Sequence, residues 1–316
     1  MPQSNRIVCI VGPTACGKTK LGIELAKKYH GEVVSADSMQ LYRGMTIGTA
    51  APTAEETEGI PHHMIAVADP REAYSVARFV EEASVCVDDI LARGKLPIIV
   101  GGTGLYLDAL VAGRSFASGE SAGETRQRLK ERLEQEGIDA LHAELARIDP
   151  IAAARLHKNN QKRILRALEI YYETGKTITE HDAESQKIPP RYRAVYIGLA
   201  FEDRADMRTL IDRRVDLMME QGLAAEVQAL VDSGVSRDTT ALQAIGYKEL
   251  LSALDGERSM EEAVEEIKLR SRQYAKRQLT WLRRNDAIHW IFWKKERDFP
   301  RALQISTDIL ASEGLG

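Results

Sequence analysis

No apolar run in this 316-residue chain is long enough to span a membrane. The longest, IVCIVG near the N-terminus and LPIIVGG at Leu96–Gly102, are strand-sized, and no charged leader precedes an export-type segment. The chain is therefore expected to work in the cytoplasm, with no membrane partner. Cysteine is scarce as well. Cys9, Cys16 and Cys86 stand apart, with no C-x-x-C pair and no neighbouring histidine ligands, which argues against a disulfide framework or a zinc site and fits reduced thiols. Cys9 and Cys86 read as core filler. Internal repeats and low-complexity segments are missing too, so solenoid and tail-like architectures are set aside. What remains is a chain with 44% apolar residues, long enough for one large domain with an insert, or two domains.

Acidic residues are missing from two stretches of an otherwise acidic chain, whose formal net charge is −4. KLRSRQYAKRQLTWLRR, 268–284, carries seven basic residues, and RLHKNNQKRILR, 155–166, carries five. An acidic body with two basic stripes predicts a localised polyanion site. A solvated helix face is the plain alternative. The lack of interleaved counter-charges at helical spacing weakens it.

Along the chain, RIVCIVG reads as a buried strand, KTKLGIELAKKYHG as the helix after it, and EVVSADS as a second strand ending at Asp37. SVARFVEEASVCVDDILARG puts Val76, Phe79, Val80, Ala83, Val87, Ile90 and Leu91 on one helical face, and LPIIVGG gives a third strand. Alternating strands and helices imply right-handed crossovers and a parallel sheet, with ligands at the C-terminal strand ends. The stretch 120–179 then turns charged and helical, and YRAVYIGLA resumes the strand pattern. The reading is an α/β chain: a P-loop, nucleotide-kinase-like core over 1–115 and 185–316, interrupted by a helical insertion over 116–184. Helices follow over 203–222, 224–233 and 247–254. A long one opens at the capping box Ser259 and Glu262, and AIHWIFW reads as a last strand.

Gly12, Pro13, Thr14, Ala15, Cys16, Gly17, Lys18 and Thr19 fit G-x-x-x-x-G-K-[ST] between a strand and a helix. Glycines let backbone N–H groups close around an anionic oxygen, Lys18 adds a point charge, and the Thr19 hydroxyl can ligate Mg²⁺. The strand PIIV does not end on the acid that a P-loop hydrolase needs. It runs into Gly101, Gly102, Thr103 and Gly104, so hydrolysis is not the expected task. These glycines allow close backbone approach, and a plain tight turn would use them equally. Asp37, at a strand end near the phosphate loop, can accept a proton from a nucleophile; a helix cap or a contact to Mg²⁺-bound water is the alternative. His62 and His63 lack a third ligand and read as polar packing or substrate contacts rather than a metal site.

GPTACGKT, SADSMQLYRGMTIGTA, IPHHMI, IVGGTGLYLDAL, NNQKRILRALEIYYETGK, LQAIGYKEL and QYAKRQLTWLRRN occur in this order over nearly the whole chain, and in this the sequence resembles the tRNA dimethylallyltransferase (isopentenyltransferase) family. The resemblance implies transfer of a dimethylallyl group from its diphosphate to N6 of the adenosine 3′ of a tRNA anticodon. It also implies a helical insert that clamps the anticodon arm and a channel where the two substrates meet.

In residues, the resemblance makes Asp37 the base, with Thr103 and Lys18 beside it at the reacting centre, and Ser38, Met39 and Gln40 lining the adenine pocket. It places residues 12–19 and Arg214 on the diphosphate, with Mg²⁺ as cofactor at Thr19. tRNA contacts carried over the same way are Thr125; Gln161, Lys162, Arg163, Ile164 and Leu165; Leu242, Gln243, Ala244, Ile245, Gly246 and Tyr247; and Lys276, Arg277 and Trp281. For Tyr274 and Trp281, seven apart on one helical face, core packing is the competing reading.

Three positions depart from the family pattern. Cys16 replaces the usual serine and puts a thiol in the loop that is expected to be accessible. Ala51 replaces a lysine, and Leu210 replaces an arginine for which Arg213 could substitute. The implied partners are tRNA and dimethylallyl diphosphate, with no DNA, and the implied state is a monomer. A P-loop kinase of a nucleoside or small metabolite, with the insert as a lid, is the main rival. It leaves the second basic stripe without a task.

Overall fold

A computed structural model describes residues 5–113 and 122–315. Its sheet grows from segments too apolar to face water. Residues 6–11 form β1 (Arg6–Val11), in which Ile7, Val8, Cys9, Ile10 and Val11 are all fully buried, as expected of a parallel strand covered on both faces. The other strands are β2 (Glu32–Ala36), β3 (His62–His63), β4 (Pro97–Gly101), β5 (Arg193–Phe201) and β6 (Ile288–Trp293). All pair in parallel, in the order β3-β2-β4-β1-β5-β6. The short strand at His62 and His63 was not anticipated. Val33 and Val34 pair with it, and His63 Nε2 meets the buried Glu32 carboxylate at 2.8 Å. His63 is thus packed against a buried carboxylate, and among the described residues no group of three or more His, Cys, Asp or Glu could hold a metal.

Register decides where the site lies. Gly101 pairs with Val11 on one side and Ala36 on the other, so β1, β2 and β4 end level with one another. The phosphate loop, Asp37 and the Gly102 turn therefore leave the sheet at one edge. At about 4.8 Å per strand, Asp37 stands roughly 10 Å across from the loop.

Helices α1 (Lys18–Lys28), α2 (Val76–Ala92) and α3 (Gly104–Ala112) connect and cover the first strands. Gly17, at φ +91°, turns the chain from loop to helix in a conformation that costs an L-residue about 1–2 kcal/mol, and Leu21 and Leu25 then bury one face of α1 in the main core. Truncating Leu25 to alanine would cost about 2–5 kcal/mol.

The chain forms two compact units, Met1–Gly113 with Arg191–Gly316, and Arg114–Pro190. The sequence boundary at 115/116 falls outside the described residues. The second unit holds α4 (Ala122–Ile148, broken at Gly137), α5 (Pro150–Arg155), α6 (Gln161–Thr174) and α7 (Ile178–Lys187) around its own core of Leu129, Leu141, Leu145, Leu156, Ile164 and Leu168. The first unit resumes with β5 and continues through α8 (Arg204–Glu220), α9 (Leu223–Asp232), α10 (Tyr247–Leu254) and α11 (Met260–Leu282), which opens on the Ser259/Glu262 capping box. After β6, α12 (Phe299–Ser312) closes the chain; its apolar spacing had not been singled out. No helix among the described residues is long and apolar enough to cross a membrane.

Candidate active site

A cavity of about 300 Å³ opens at the level edge of the sheet in the first unit. Thr14 of the phosphate loop lines it together with Asp37, Ser38 and Met39 from the end of β2, Arg214 from α8, and Tyr274 and Arg277 from α11. Gln243, Ala244, Ile245, Gly246 and Tyr247 form another wall, and Met39, Ile211, Val215, Met218, Leu223 and Ile267 make much of the lining apolar. A polar and cationic end beside an apolar body suits a short hydrocarbon carried on an anion.

Arg214 is the cationic focus. It makes no hydrogen bond or ion pair with a described residue, and burial pushes its guanidinium below the usual arginine range, while the nearby Asp37 and Cys16 oppose that shift. A desolvated arginine without a fixed partner is primed for an anion. Arg213, the expected substitute, is exposed and does not reach the cavity, because one residue along a helix turns a side chain by about 100°. Arg297 was missed in the sequence. It stacks over Phe299, its chain lies beside Gly17, and its charge acts on Arg214.

Within the loop, Lys18 Nζ donates to the Pro13 carbonyl at 2.7 Å and lies 4.0 Å from Cys16 Sγ. The thiol itself corrects an expectation: Cys16 is fully buried, its carbonyl accepts from Trp293 Nε1 at 2.8 Å, and burial raises its pKa. Alkylation of the native protein should therefore modify the half-buried Cys86 well before Cys9 or Cys16, as peptide mass mapping would read. Cys16 reacting as fast as Cys86 would contradict this packing.

Asp37 Oδ1 accepts from Met39 N at 2.9 Å, which fixes the carboxylate at the cavity wall. Thr103 Oγ1 accepts from Ser38 N at 3.3 Å, tying the Gly102 turn to the same segment. Thr103 does not line the cavity. Neither does Gln40, whose amide is turned inward to Ser35 Oγ and to the carbonyls of Thr49 and Ala50. It supports the wall rather than forming it. Glu226 does similar work unforeseen in the sequence, accepting from the backbone N–H groups of Thr46, Ile47 and Gly48 and from Tyr247 Oη at 2.5 Å.

The basic stripes need their own correction. Their counter-charges exist, on neighbouring turns or elements: Arg155 pairs with Asp182, Lys158 with Asp139, Arg166 with Glu169, Lys268 with Asp216 and Glu265, Arg270 with Glu266, and Arg272 with Asp212. Lys162 and Arg163, and Lys276, Arg277, Arg283 and Arg284, are exposed and make no ion pair with a described residue. Each stripe thus reduces to a short unpaired group. On α11, Arg277 lies over Tyr274 and Arg284 over Trp281, around an open basic groove that also holds Lys276. Trp281 Nε1 donates to Asp108 at 2.8 Å, so this aromatic is anchored as well as half-exposed.

Several residues in the expected RNA segments have buried side chains. Ile164 and Leu242 are fully buried, Ala244 and Thr125 nearly so, and Leu165 packs against the core of the second unit. Gln161, Lys162, Arg163 and Gln243 are the exposed members. A helical segment alternates faces, so a matched motif brings its core positions along with its contact positions.

Comparison with known proteins gives a consistent result. A family model described as IPP transferase matches residues 40–285, and one described as isopentenyl transferase matches residues 5–67. The tRNA dimethylallyltransferase of Acetivibrio thermocellus is 49% identical over 287 residues, covering 91% of this chain and 91% of that protein. That of Halalkalibacterium halodurans is 46% identical over 311 residues, 98% of each. Among solved structures, the tRNA isopentenylpyrophosphate transferase of Bacillus halodurans aligns with TM-score 0.73 at 44% identity, covering 98% of this chain and 96% of that one. A eukaryotic dimethylallyltransferase acting on tRNA aligns with TM-score 0.83 at 32% identity, covering 98% and 80%.

Proposed function

The chain belongs to the IPP transferase family of tRNA dimethylallyltransferases, and from that premise we propose how its own residues transfer a dimethylallyl group to N6 of the adenosine 3′ to a tRNA anticodon. The observation that carries the reading is one cavity lined by Thr14 of the phosphate loop, by the Asp37 carboxylate and by Arg214, which pairs with no described residue.

The diphosphate sits on the loop's backbone donors and Lys18, with Arg214 facing it from α8. The five-carbon chain lies along Met39, Ile211, Val215 and Met218. The N6 nitrogen forms its bond to C1 of the allyl group as the bond from C1 to the diphosphate oxygen breaks. The N6 proton passes to Asp37, and the electron pair leaves with diphosphate, whose growing charge Lys18 and Arg214 stabilise.

The Thr19 hydroxyl, at the start of α1 and without a described partner, fits the role of a Mg²⁺ ligand. No protein carboxylate cluster is needed, since Mg²⁺ keeps waters and binds through substrate phosphates. When bound there, Mg²⁺ would neutralise charge on the diphosphate.

The target adenine must leave its stack, at about a few kcal/mol, and exposed cations with half-exposed aromatics on α11 offset that cost. Lys162 and Arg163 of the second unit are a further phosphate contact. We infer a monomer acting in the cytoplasm, where its tRNA substrate is found.

The donor decides between this reading and a kinase. With tRNA and Mg²⁺ present, dimethylallyl diphosphate should be consumed and ATP should not serve as a phosphoryl donor; phosphate transfer from ATP without any prenylated nucleoside would overturn the proposal.

Raising salt should weaken tRNA binding steeply. Lys162→Ala, Arg163→Ala, Lys276→Ala and Arg277→Ala should each lower the log–log slope by about one or less. Lys28→Ala, an exposed control on α1, should leave it unchanged, and so should Arg270→Ala and Lys158→Ala, whose cations are already paired. Equal slopes for all seven variants would move the docking surface elsewhere.

A further inference from the structure

We propose that Gln278 is a positioning residue that locks the phosphate loop to the Thr103 turn and so sets the leaving group against the Asp37 base. The proposal rests on the reaction assigned above. Gln278 lies on α11 with its side chain buried, and each end of its amide meets a group of opposite kind. Oε1 accepts from the backbone N–H of Thr14 at 2.9 Å, and Nε2 donates to the carbonyl of Gly102 at 3.2 Å. A donor on one side and an acceptor on the other fix the amide's orientation.

Gly102 permits the approach, since a Cβ there would stand 2.2 Å from Nε2. One turn earlier on the same helix, Tyr274 lines the cavity with Asp37, and Gln278 and Thr103 both act on its hydroxyl. Thr103 Oγ1 in turn accepts from Ser38 N, beside Asp37. Hydrogen bonds and the Gly102–Thr103 peptide thus link the phosphate loop, through Gln278, to the segment that holds the base. β1, β4 and β2 bring these segments to one edge, but no backbone bond joins Thr14 to the Gly102 turn, and Gln278 is the side chain bonded to both.

Sub-ångström errors in the spacing of nucleophile and leaving group are costly to rate, so loss of this bridge should act on catalysis before it acts on RNA affinity. Gln278→Met keeps the side chain's size and removes both bonds. It should lower kcat about 10- to 100-fold and raise KM for dimethylallyl diphosphate several-fold, with tRNA Kd within about twofold of the native value.

Gln278→Glu supplies the readout that a packing role would not move. Its neutral carboxyl can accept from Thr14 N and donate to Gly102 O, whereas its buried anion faces that carbonyl oxygen without a donor between them. Its activity relative to the native enzyme should therefore rise as the pH falls from about 8 to about 6, against a flat ratio for Gln278→Met. The native enzyme is measured alongside: no prenyl transfer by it would refute the assigned reaction rather than this inference. With the native enzyme active, Gln278→Met within twofold in both kcat and KM, or a flat ratio for Gln278→Glu, would overturn the positioning role. Should Gln278→Met fail to fold, the pH ratio of Gln278→Glu decides alone.

Discussion

Asp37→Ala should lower kcat by about 10²–10⁴-fold, roughly 3–5 kcal/mol of transition-state stabilisation, while tRNA affinity stays near native. The N6 lone pair of adenine is delocalised into the ring, so the nitrogen becomes a competent nucleophile only if its proton is taken as the new bond forms. Asp37 is the carboxylate that lines the cavity, and its Oδ1 is tethered to Met39 N, so the group is held in place before any substrate arrives. Because that tether also turns the chain out of β2, Asp37→Asn is the cleaner variant. It keeps the side-chain oxygen that Met39 N needs and loses the basicity. It should show nearly the same loss of kcat at an unchanged melting temperature. Equal losses in tRNA affinity and rate, with single-turnover chemistry intact, would make Asp37 a binding residue.

Arg214→Ala should reduce kcat/KM for dimethylallyl diphosphate by about 10²–10³-fold and leave tRNA binding alone. The size follows from its surroundings. Arg214 is half-buried in the cavity wall, burial pushes its guanidinium below the usual arginine range, and no described carboxylate pairs with it, so its charge is unspent until an anion enters. The leaving diphosphate gains charge as the C–O bond breaks, and a cation there gains most in the transition state. Arg214→Lys should recover only part of the loss, because a point charge cannot reproduce the planar fork. Arg213→Ala is the matched control: one residue along the same helix but exposed, it should behave as native. Steady-state kinetics with tRNA saturating reads all three, and an equal effect at Arg213 would remove α8 from the diphosphate site.

What the sequence disclosed about this site follows from where its chemistry is local. The phosphate loop is one contiguous motif between a strand and a helix, and the place of Asp37 at a strand end could be read without a fold, whereas its role as the base came from the family resemblance. The parallel sheet and its interruption were legible because apolar strands such as 6–11 and 193–201 carry almost no polar residues, while the helical stretch between them lacks such runs. Pairing across elements was not legible. Arg272 meets Asp212 sixty residues away, and Lys158, beyond α5, meets Asp139 on α4, so a run with no acids in sequence was balanced in space.

Gln278 was hidden for the same reason, since both its partners lie more than 170 residues upstream and nothing in QYAKRQLTW marks one glutamine as buried. The signal was its spacing. Tyr274, Gln278 and Trp281 recur at four and three residues, a single face of α11, and all three turn toward the loop edge of the sheet. Arg297 and Glu226 gave no such signal; only the folded neighbours of a solitary charged residue reveal its task.

The most direct measurement is the position of the new bond. Native protein is incubated with tRNA, Mg²⁺ and dimethylallyl diphosphate carrying an isotopic label, and the RNA is digested and sequenced by mass. One dimethylallyl group is expected, on N6 of the adenosine 3′-adjacent to the anticodon, with diphosphate released in equal amount. Label on any other nucleotide or on none, or a phosphate gained by the RNA or a nucleoside when ATP is supplied instead, would contradict it.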